Sequence, residues 1–321
     1  MLSVRDLTKV YPIRDGAGAG ALTALSGVSL DLAAGETLGI LGESGCGKST
    51  LAKVLVQLER ATSGSVQLDG IELTTLRGTA LRQQRRRIQL VFQDPFSSLN
   101  PRSTVGDIIG SVLAVHGLAD RSQRPARVAE LLDSVGLDAD FARRYPHQMS
   151  GGQRQRIGIA RALAVQPQVL ILDEPVSALD VSVRAEIMNL LARLRRELKL
   201  AYIFISHDVA MVRHLADRVA VMYLGRVVEL GPWRTVIDRP AHPYTRALSA
   251  AVPVPDPTVR GDLAATVSGE VPDPADPPAG CTFHPRCPLA EDICWRDDPV
   301  LRRLADEPES DRLAACHVVT R

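Results

Sequence analysis

Residues Gly42 to Ser49 read GESGCGKS, a glycine-spaced loop that ends in a lysine and a hydroxyl. Glycines at these positions allow a tight turn whose amide N–H groups face inward, so that an anionic phosphate can sit among them at a helix N-terminus. Gly42, Gly45 and Gly47 take that part, Lys48 carries a positive charge to the β and γ phosphates, and Ser49 is placed as a magnesium ligand. The stretch from Gly42 through Glu43, Ser44 and Cys46 to Thr50 therefore lines the phosphates, with Cys46 a small filler that has no chemistry of its own. A second set of chemical groups follows an apolar run, Val169-Leu-Ile-Leu-Asp173-Glu174. A strand's C-terminal end is where an open α/β sheet presents its ligand. Asp173 is placed to hold magnesium, and Glu174, one residue on and turned elsewhere, to accept the proton of an attacking water.

The elements that must position these groups are legible in the pattern. Thr37 to Leu41 is a short apolar strand running into the glycine loop, and a helix from Lys48 to Leu58 follows it. Val4 to Tyr11 and Leu25 to Leu32 read as short strands around an insert, Arg14 to Gly20, of hairpin-loop composition. From about Asp94 to Val165 the chain is helix-rich, with apolar spacing in Val128 to Val135 and in Ile157 to Leu163. Val169 to Leu172, a helix from Val183 to Leu198 and a strand from Ala201 to Ile205 resume a strand–helix alternation, which predicts an α/β fold. Beyond Trp233 the composition turns rich in Pro and Asp, as in VPVPDPTVRG and EVPDPADPPAG, and a boundary is expected there. No internal repeat is present.

The chain has 321 residues, 45% hydrophobic and 23% charged, enough for one nucleotide-binding domain of roughly 230 residues and an appendage. A formal net charge of +1 gives no broad footprint for nucleic acid, and the run Arg82 to Arg87 reads as a solvated helix face. No run reaches ~18 apolar residues, and the N-terminus lacks the apolar segment of a secretion signal. A cytoplasmic protein that meets a membrane only through partners is expected. Five cysteines in such a compartment argue against a disulfide framework, yet four of them fall in the last 41 residues. Cys281, Cys287, Cys294 and Cys316 are spaced C-x5-C-x6-C-x21-C. Four thiolates suffice for zinc or for an iron–sulfur cluster, and the Pro-rich surroundings offer little core for them to fill. His284 and His317 are expected to flank such a site.

SGGQ at Ser150 to Gln153, upstream of the DE strand and followed by RQRIGIARAL, brings in a resemblance: with the loop and the strand it resembles the ABC ATPase family. Met149 stands where the family has Leu, a volume-conserving change. The resemblance implies a P-loop (RecA-like) core over 1–93 and 166–235 with an N-terminal β-subdomain, a helical signature subdomain over 94–165, and an extension over 236–321. It implies that Ser150, Gly151, Gly152 and Gln153 complete the ATP site of a second such subunit. It further implies that Gln93 in VFQDP senses magnesium, that Asp180 in SALD lines the dimer contact, that His207 in ISHD touches the γ phosphate, and that Tyr11 stacks on adenine. With no motif broken, hydrolysis is expected.

FQDPFSSLNPR from Phe92, LDVSVRAEIMNLL from Leu179, AHPYTRALSAAVP from Ala241 and CTFHPRCPLAEDIC from Cys281 resemble one branch of that family, the ATPases of dipeptide, oligopeptide and nickel importers. This implies a subunit at the cytoplasmic face of the membrane, working with a second ATPase, two permeases and an extracytoplasmic solute-binding protein, and with no nucleic acid. It favours a 4Fe-4S cluster over zinc at the cysteines. Phe96 and Leu99 are expected to offer apolar contacts to a permease helix. An ABC ATPase of DNA repair is disfavoured by the short, heptad-free middle segment and the near-neutral charge, and a translation-associated one by the presence of a single such domain.

Overall fold

The computed structural model describes residues 1–15, 18–94, 99–251, 269–304, 307 and 311–320. They form two compact units, one of residues 1–75 with 204–321 and the other of residues 76–203.

The first unit begins with a long antiparallel pair, β1 (Leu2–Asp15) and β2 (Gly18–Leu32), which runs from Leu2 opposite Leu32 to Asp15 opposite Gly18 with register shifts between Val4 and Val10. Pairing thus continues through most of the segment expected to be a loop, because the ladder satisfies backbone groups that the small residues there leave accessible. β3 (Thr37–Leu41), wholly buried, leads into α1 (Lys48–Leu55), and β4 (Ser63–Leu68) and β5 (Ile71–Glu72) extend the antiparallel sheet in the order β2-β1-β4-β5.

The second unit opens with α2 (Gly78–Arg87), which buries none of its residues. The arginine run is the solvated face that its composition predicts. β6 (Ile88–Val91) is followed by α3 (Val105–Val115), α4 (Arg124–Ser134) and α5 (Gly151–Leu163). Each start has a local cause: Thr104 accepts the Asp107 amide at 3.2 Å, and Pro125 occupies the first turn of α4. β7 (Val169–Asp173) pairs parallel with β6, Ile88 opposite Val169, and its five buried residues are the continuous apolar run of a strand covered on both faces. α6 (Val181–Leu198) completes the unit. Leu99, expected to be presented to a partner, is 1% exposed and belongs to the core, while Phe96 lies outside the described residues.

β8 (Ala201–Ser206) carries the chain into the first unit again, followed by α7 (Val209–Leu215), β9 (Arg218–Tyr223) and β10 (Arg226–Pro232). β9 pairs parallel with β3 and antiparallel with β10. α8 (Trp233–Asp238) and α9 (Pro243–Ala250) come next, and the short strands β11 (Arg302–Arg303) and β12 (Leu313–Ala314) add to the edge of β10.

The tail is fastened by charge as well as by packing. Glu229 of β10 is 0% exposed and Arg312 2%, and the guanidinium reaches one carboxylate oxygen with Nε at 2.9 Å and a terminal nitrogen at 2.7 Å. The same carboxylate accepts the amides of Ala241 and His242 at 3.0 and 2.9 Å. His242 in turn accepts the Tyr244 amide on Nδ1, and burial pushes its imidazole down to about 3, so it caps α9 as a neutral ring. Ala241, Leu304 and Ala314 form a small satellite core with Val319 against it. Removing one member of a buried pair leaves an uncompensated charge, so Arg312→Ala is expected to cost about 3–5 kcal/mol. Arg5→Ala, which breaks an exposed pair with Asp31, should cost about 1 kcal/mol or less. Thermal unfolding of the two variants measures the contrast, and equal shifts would contradict it.

Candidate nucleotide site

The phosphate loop is shaped by close backbone approach. Gly47 has φ 103°, and a Cβ there would stand 2.3 Å from the Ala24 carbonyl oxygen, so no side chain fits between the loop and β2. α1 starts at the next residue, directing its first amides to the loop. Lys48 is 5% exposed, and its ammonium donates to the carbonyls of Gly42 and Glu43, both at 2.8 Å. The charge is therefore held under the arch by exchangeable carbonyl contacts. Burial raises the Cys46 thiol above its ordinary value, which keeps it protonated and matches a filler role.

Tyr11 has protein partners at its hydroxyl and on one ring face. Its hydroxyl bonds Glu59, and the Lys9 ammonium lies 4.6 Å from its ring centroid, covering one face. Only the opposite face is left for a stacked purine. Burial, with the neighbouring Glu59, raises the phenol. In the same unit, His207 follows β8 in a turn fixed on both sides: the Asp208 amide donates to Ser206 Oγ at 2.9 Å, and Asp208 Oδ1 accepts the amides of Ala210 and Met211 at the start of α7. His207 is exposed at the end of the strand.

In the second unit, Asp173 ends β7 at 5% exposure, and Glu174 follows with φ 46°, a left-handed backbone that is unusual for a side chain of this length. The turn takes Glu174 out of the strand's alternation. Gln93 Nε2 donates to the Glu174 carboxylate at 2.8 Å. The amide is thus engaged with the expected base, which leaves its carbonyl oxygen as the atom with affinity for a cation. Within this unit, Asp173 and Gln93 supply hard oxygen donors, the chemistry that magnesium takes.

The SGGQ segment forms the start of α5. Ser150 Oγ accepts the Gln153 amide at 3.3 Å and Gln153 Oε1 accepts the Ser150 amide at 3.1 Å, a reciprocal capping box. The amides of Gly151 and Gly152 are among those a helix start leaves for an anion. The glycines have a second cause. A Cβ on Gly152 would lie 2.4 Å from Val183 Cγ1 and one on Gly151 3.0 Å from Leu179 Cδ2, so α5 packs there directly on the SALD turn and α6. Asp180 caps α6 without a side-chain hydrogen bond and is exposed, so its carboxylate faces outward.

The four late cysteines are free, with Cys294 and Cys316 buried. The Cys281 amide donates to the Cys294 carbonyl at 2.8 Å. Burial pushes the Cys281 thiol up to about 11, and the charges of Cys294, Cys316 and Cys287 add to the rise. Even so, no group of three or more His, Cys, Asp or Glu among the described residues is arranged to hold a metal ion. Ring nitrogens of His284 and His317 hydrogen-bond with the carbonyls of Cys281 and Asp297.

Two residues that sequence reasoning missed also touch the phosphate loop. The Arg286 guanidinium grips the Glu43 carboxylate at 3.0 and 3.2 Å, and the Glu43 amide donates to the Tyr244 hydroxyl at 2.9 Å. Neither lies in a nucleotide motif, and a separation of 243 residues between Glu43 and Arg286 leaves no local signal.

Comparison with known proteins agrees with this geometry. The family model described as ABC transporter matches residues 25–177, and that described as oligopeptide/dipeptide transporter, C-terminal region, matches 228–294. A dimeric ATP-binding cassette, MJ0796, solved in a post-hydrolysis state with ADP and Pi, superposes with a TM-score of 0.66 at 32% identity, covering 73% of this chain and 99% of that one. The chain belongs to the ABC transporter ATP-binding family, and it is an ATPase of the P-loop cassette fold. Its resemblance runs nearly end to end with two proteins of the peptide branch. A probable peptide ABC transporter ATP-binding protein of Sinorhizobium fredii is 53% identical over 99% of this chain and 90% of its own length. The oligopeptide transport ATP-binding protein AppF of Bacillus subtilis is 47% identical over 99% and 97%.

The collision at Gly152 can be relieved from its other side. Gly152→Ala is expected to lower ATPase activity by at least about ten-fold, a loss of ~1.4 kcal/mol, and Val183→Ala in the same chain to restore part of it. Steady-state phosphate release measures both, and a Gly152→Ala variant with full activity would show that the packing is dispensable.

Proposed function

We propose that this ATPase is the energy-coupling subunit of a di- or oligopeptide importer, seated at the cytoplasmic face of the membrane. The observation that carries the reading is the tail: an oligopeptide-type C-terminal region that follows the cassette, in a match covering 90% and 97% of two relatives named for peptide transport. Among the described residues no helix is long and apolar enough to cross a membrane, and passage in this reading belongs to the chain's partners. Those partners are a second ATPase subunit, alike or related, two membrane permeases and an extracytoplasmic solute-binding protein.

The chain's own groups divide the work of hydrolysis. The Gly42 to Thr50 loop and Lys48 bind and orient the triphosphate, with Lys48 exchanging its two carbonyl partners for phosphate oxygens. Magnesium, when bound by Ser49, Asp173 and Gln93, supplies positive charge at the β and γ oxygens. Glu174, held by the Gln93 amide, takes a proton from water as its oxygen bonds to the γ phosphorus, and the bond from that phosphorus to the bridging oxygen breaks to leave ADP. His207 orients the γ phosphate. Ser150, Gly151, Gly152 and Gln153, with Asp180, present a preformed helix start to the nucleotide of the second subunit, so ATP closes the pair and hydrolysis frees it. Tyr11 offers its uncovered face to the adenine.

Glu174→Gln keeps the shape of the side chain and removes the base. Turnover is expected to fall at least about 100-fold, with ATP retained in a stable dimer and transport stopped in the reconstituted complex. Transport that continues without hydrolysis would sink the motor reading.

The four thiols also belong to the proposal. Their number and soft donor set are what support a 4Fe-4S cluster, with zinc the other soft-donor choice, that braces a Pro-rich segment short of apolar core. Protein purified without oxygen should absorb near ~400 nm and contain iron. A colourless, zinc-bearing preparation would refute the cluster.

A further inference from the structure

Glu43 is the second residue of the phosphate loop, and two groups from the C-terminal part of the chain hold it. Tyr244 of α9 receives its amide proton, and Arg286 grips both carboxylate oxygens in a two-pronged ion pair. Arg286 is itself buried, within hydrogen-bond reach of the Tyr223 hydroxyl at 3.5 Å, and it stands immediately before Cys287. Phe283 meets Tyr223 edge to face, with ring centroids 5.2 Å apart, and its centroid lies 5.5 Å from that of Tyr244, so the cysteine segment and α9 meet the loop as one packed body.

Two physical facts make this more than a fastening. Glu43 places a negative charge inside a loop built for a polyanion, where it opposes the triphosphate unless a cation offsets it. Arg286 supplies that cation. In addition, the Glu43 carbonyl is one of the two oxygens holding the Lys48 ammonium at 2.8 Å, so a displaced Glu43 moves the partner of the phosphate-binding lysine.

We infer that the cysteine-bearing extension is a positioning device for the phosphate loop: Arg286 and Tyr244 fix Glu43 and offset its charge, so that nucleotide affinity follows the integrity of the cysteine segment. Arg286 and Tyr244 are positioning residues that act on the triphosphate through Glu43 and Lys48. The inference rests on the loop being the nucleotide site, and Lys48→Ala serves as the control for that reading.

The experiment is binding of a fluorescent ATP analogue to the full-length chain, with ATPase activity measured across ATP concentrations. Arg286→Gln is expected to weaken nucleotide binding about ten-fold, within the usual range of coupling between sites, with kcat at saturating ATP within about two-fold. Arg286→Lys should recover part of the affinity. Glu43→Gln combined with Arg286→Gln should bind better than Arg286→Gln alone, because the uncompensated charge is gone. Tyr244→Phe, which removes one oxygen, should weaken binding in the same sense and gives a milder variant should Arg286→Gln fail to fold. Cys294→Ser should reproduce the affinity loss, with little further loss when combined with Arg286→Gln. Affinities within two-fold of wild type in both Arg286→Gln and Tyr244→Phe would overturn the inference, as would a Cys294→Ser chain that binds as tightly as wild type. If instead Lys48→Ala leaves binding intact, the nucleotide-site reading itself is what fails.

Discussion

A buried ammonium is tolerated in a protein only where oxygens surround it, and the phosphate loop is organised around that requirement. Lys48 cannot reach water, so the loop curls its own carbonyls over it. The curl needs glycine where β2 presses on the loop, and it needs a strand entering and a helix leaving at fixed angles. Triphosphate oxygens satisfy the ammonium better than neutral carbonyls do, so the strain of burying the charge becomes a source of affinity. β3, α1, the hairpin of β1 and β2 and the aromatic cluster beneath Glu43 all bear on the position of that one nitrogen.

The same economy operates at the other end of the chemistry. Glu174 is aimed by a backbone turn and by one amide from Gln93, and the SGGQ helix start is shaped by its own capping box and by the absence of side chains toward α6. In each case a few backbone-level devices fix a group that must act on a ligand. Large side chains then fill the surrounding core.

Much of this was legible in the chain because the determinants are local. The entry into the loop, the buried run ending in Asp173 and Glu174, and the capped start at Ser150 each depend on neighbours within a few residues, and the structure places them on the expected elements. What escaped reading depends on distant partners. Leu99 looks exposed in a Ser- and Pro-rich stretch but is covered by tertiary packing, and the length of β1 and β2 comes from cross-strand pairing that small residues do not advertise. The hydroxyl of Tyr11 bonds Glu59, 48 residues further on. Arg286 meets Glu43 from the far end of the sequence, and no periodicity could have joined them.

The left-handed backbone at Glu174 has an implication for how such a chain can change over time. A non-glycine residue held there stores on the order of 1–3 kcal/mol of conformational strain that Gly would release. Drift toward greater stability and retention of the carboxylate therefore pull in opposite directions at one residue. A lineage that ceased to need turnover would have a thermodynamic incentive to lose this side chain, so Glu174 is a position where continued selection for work leaves a visible mark.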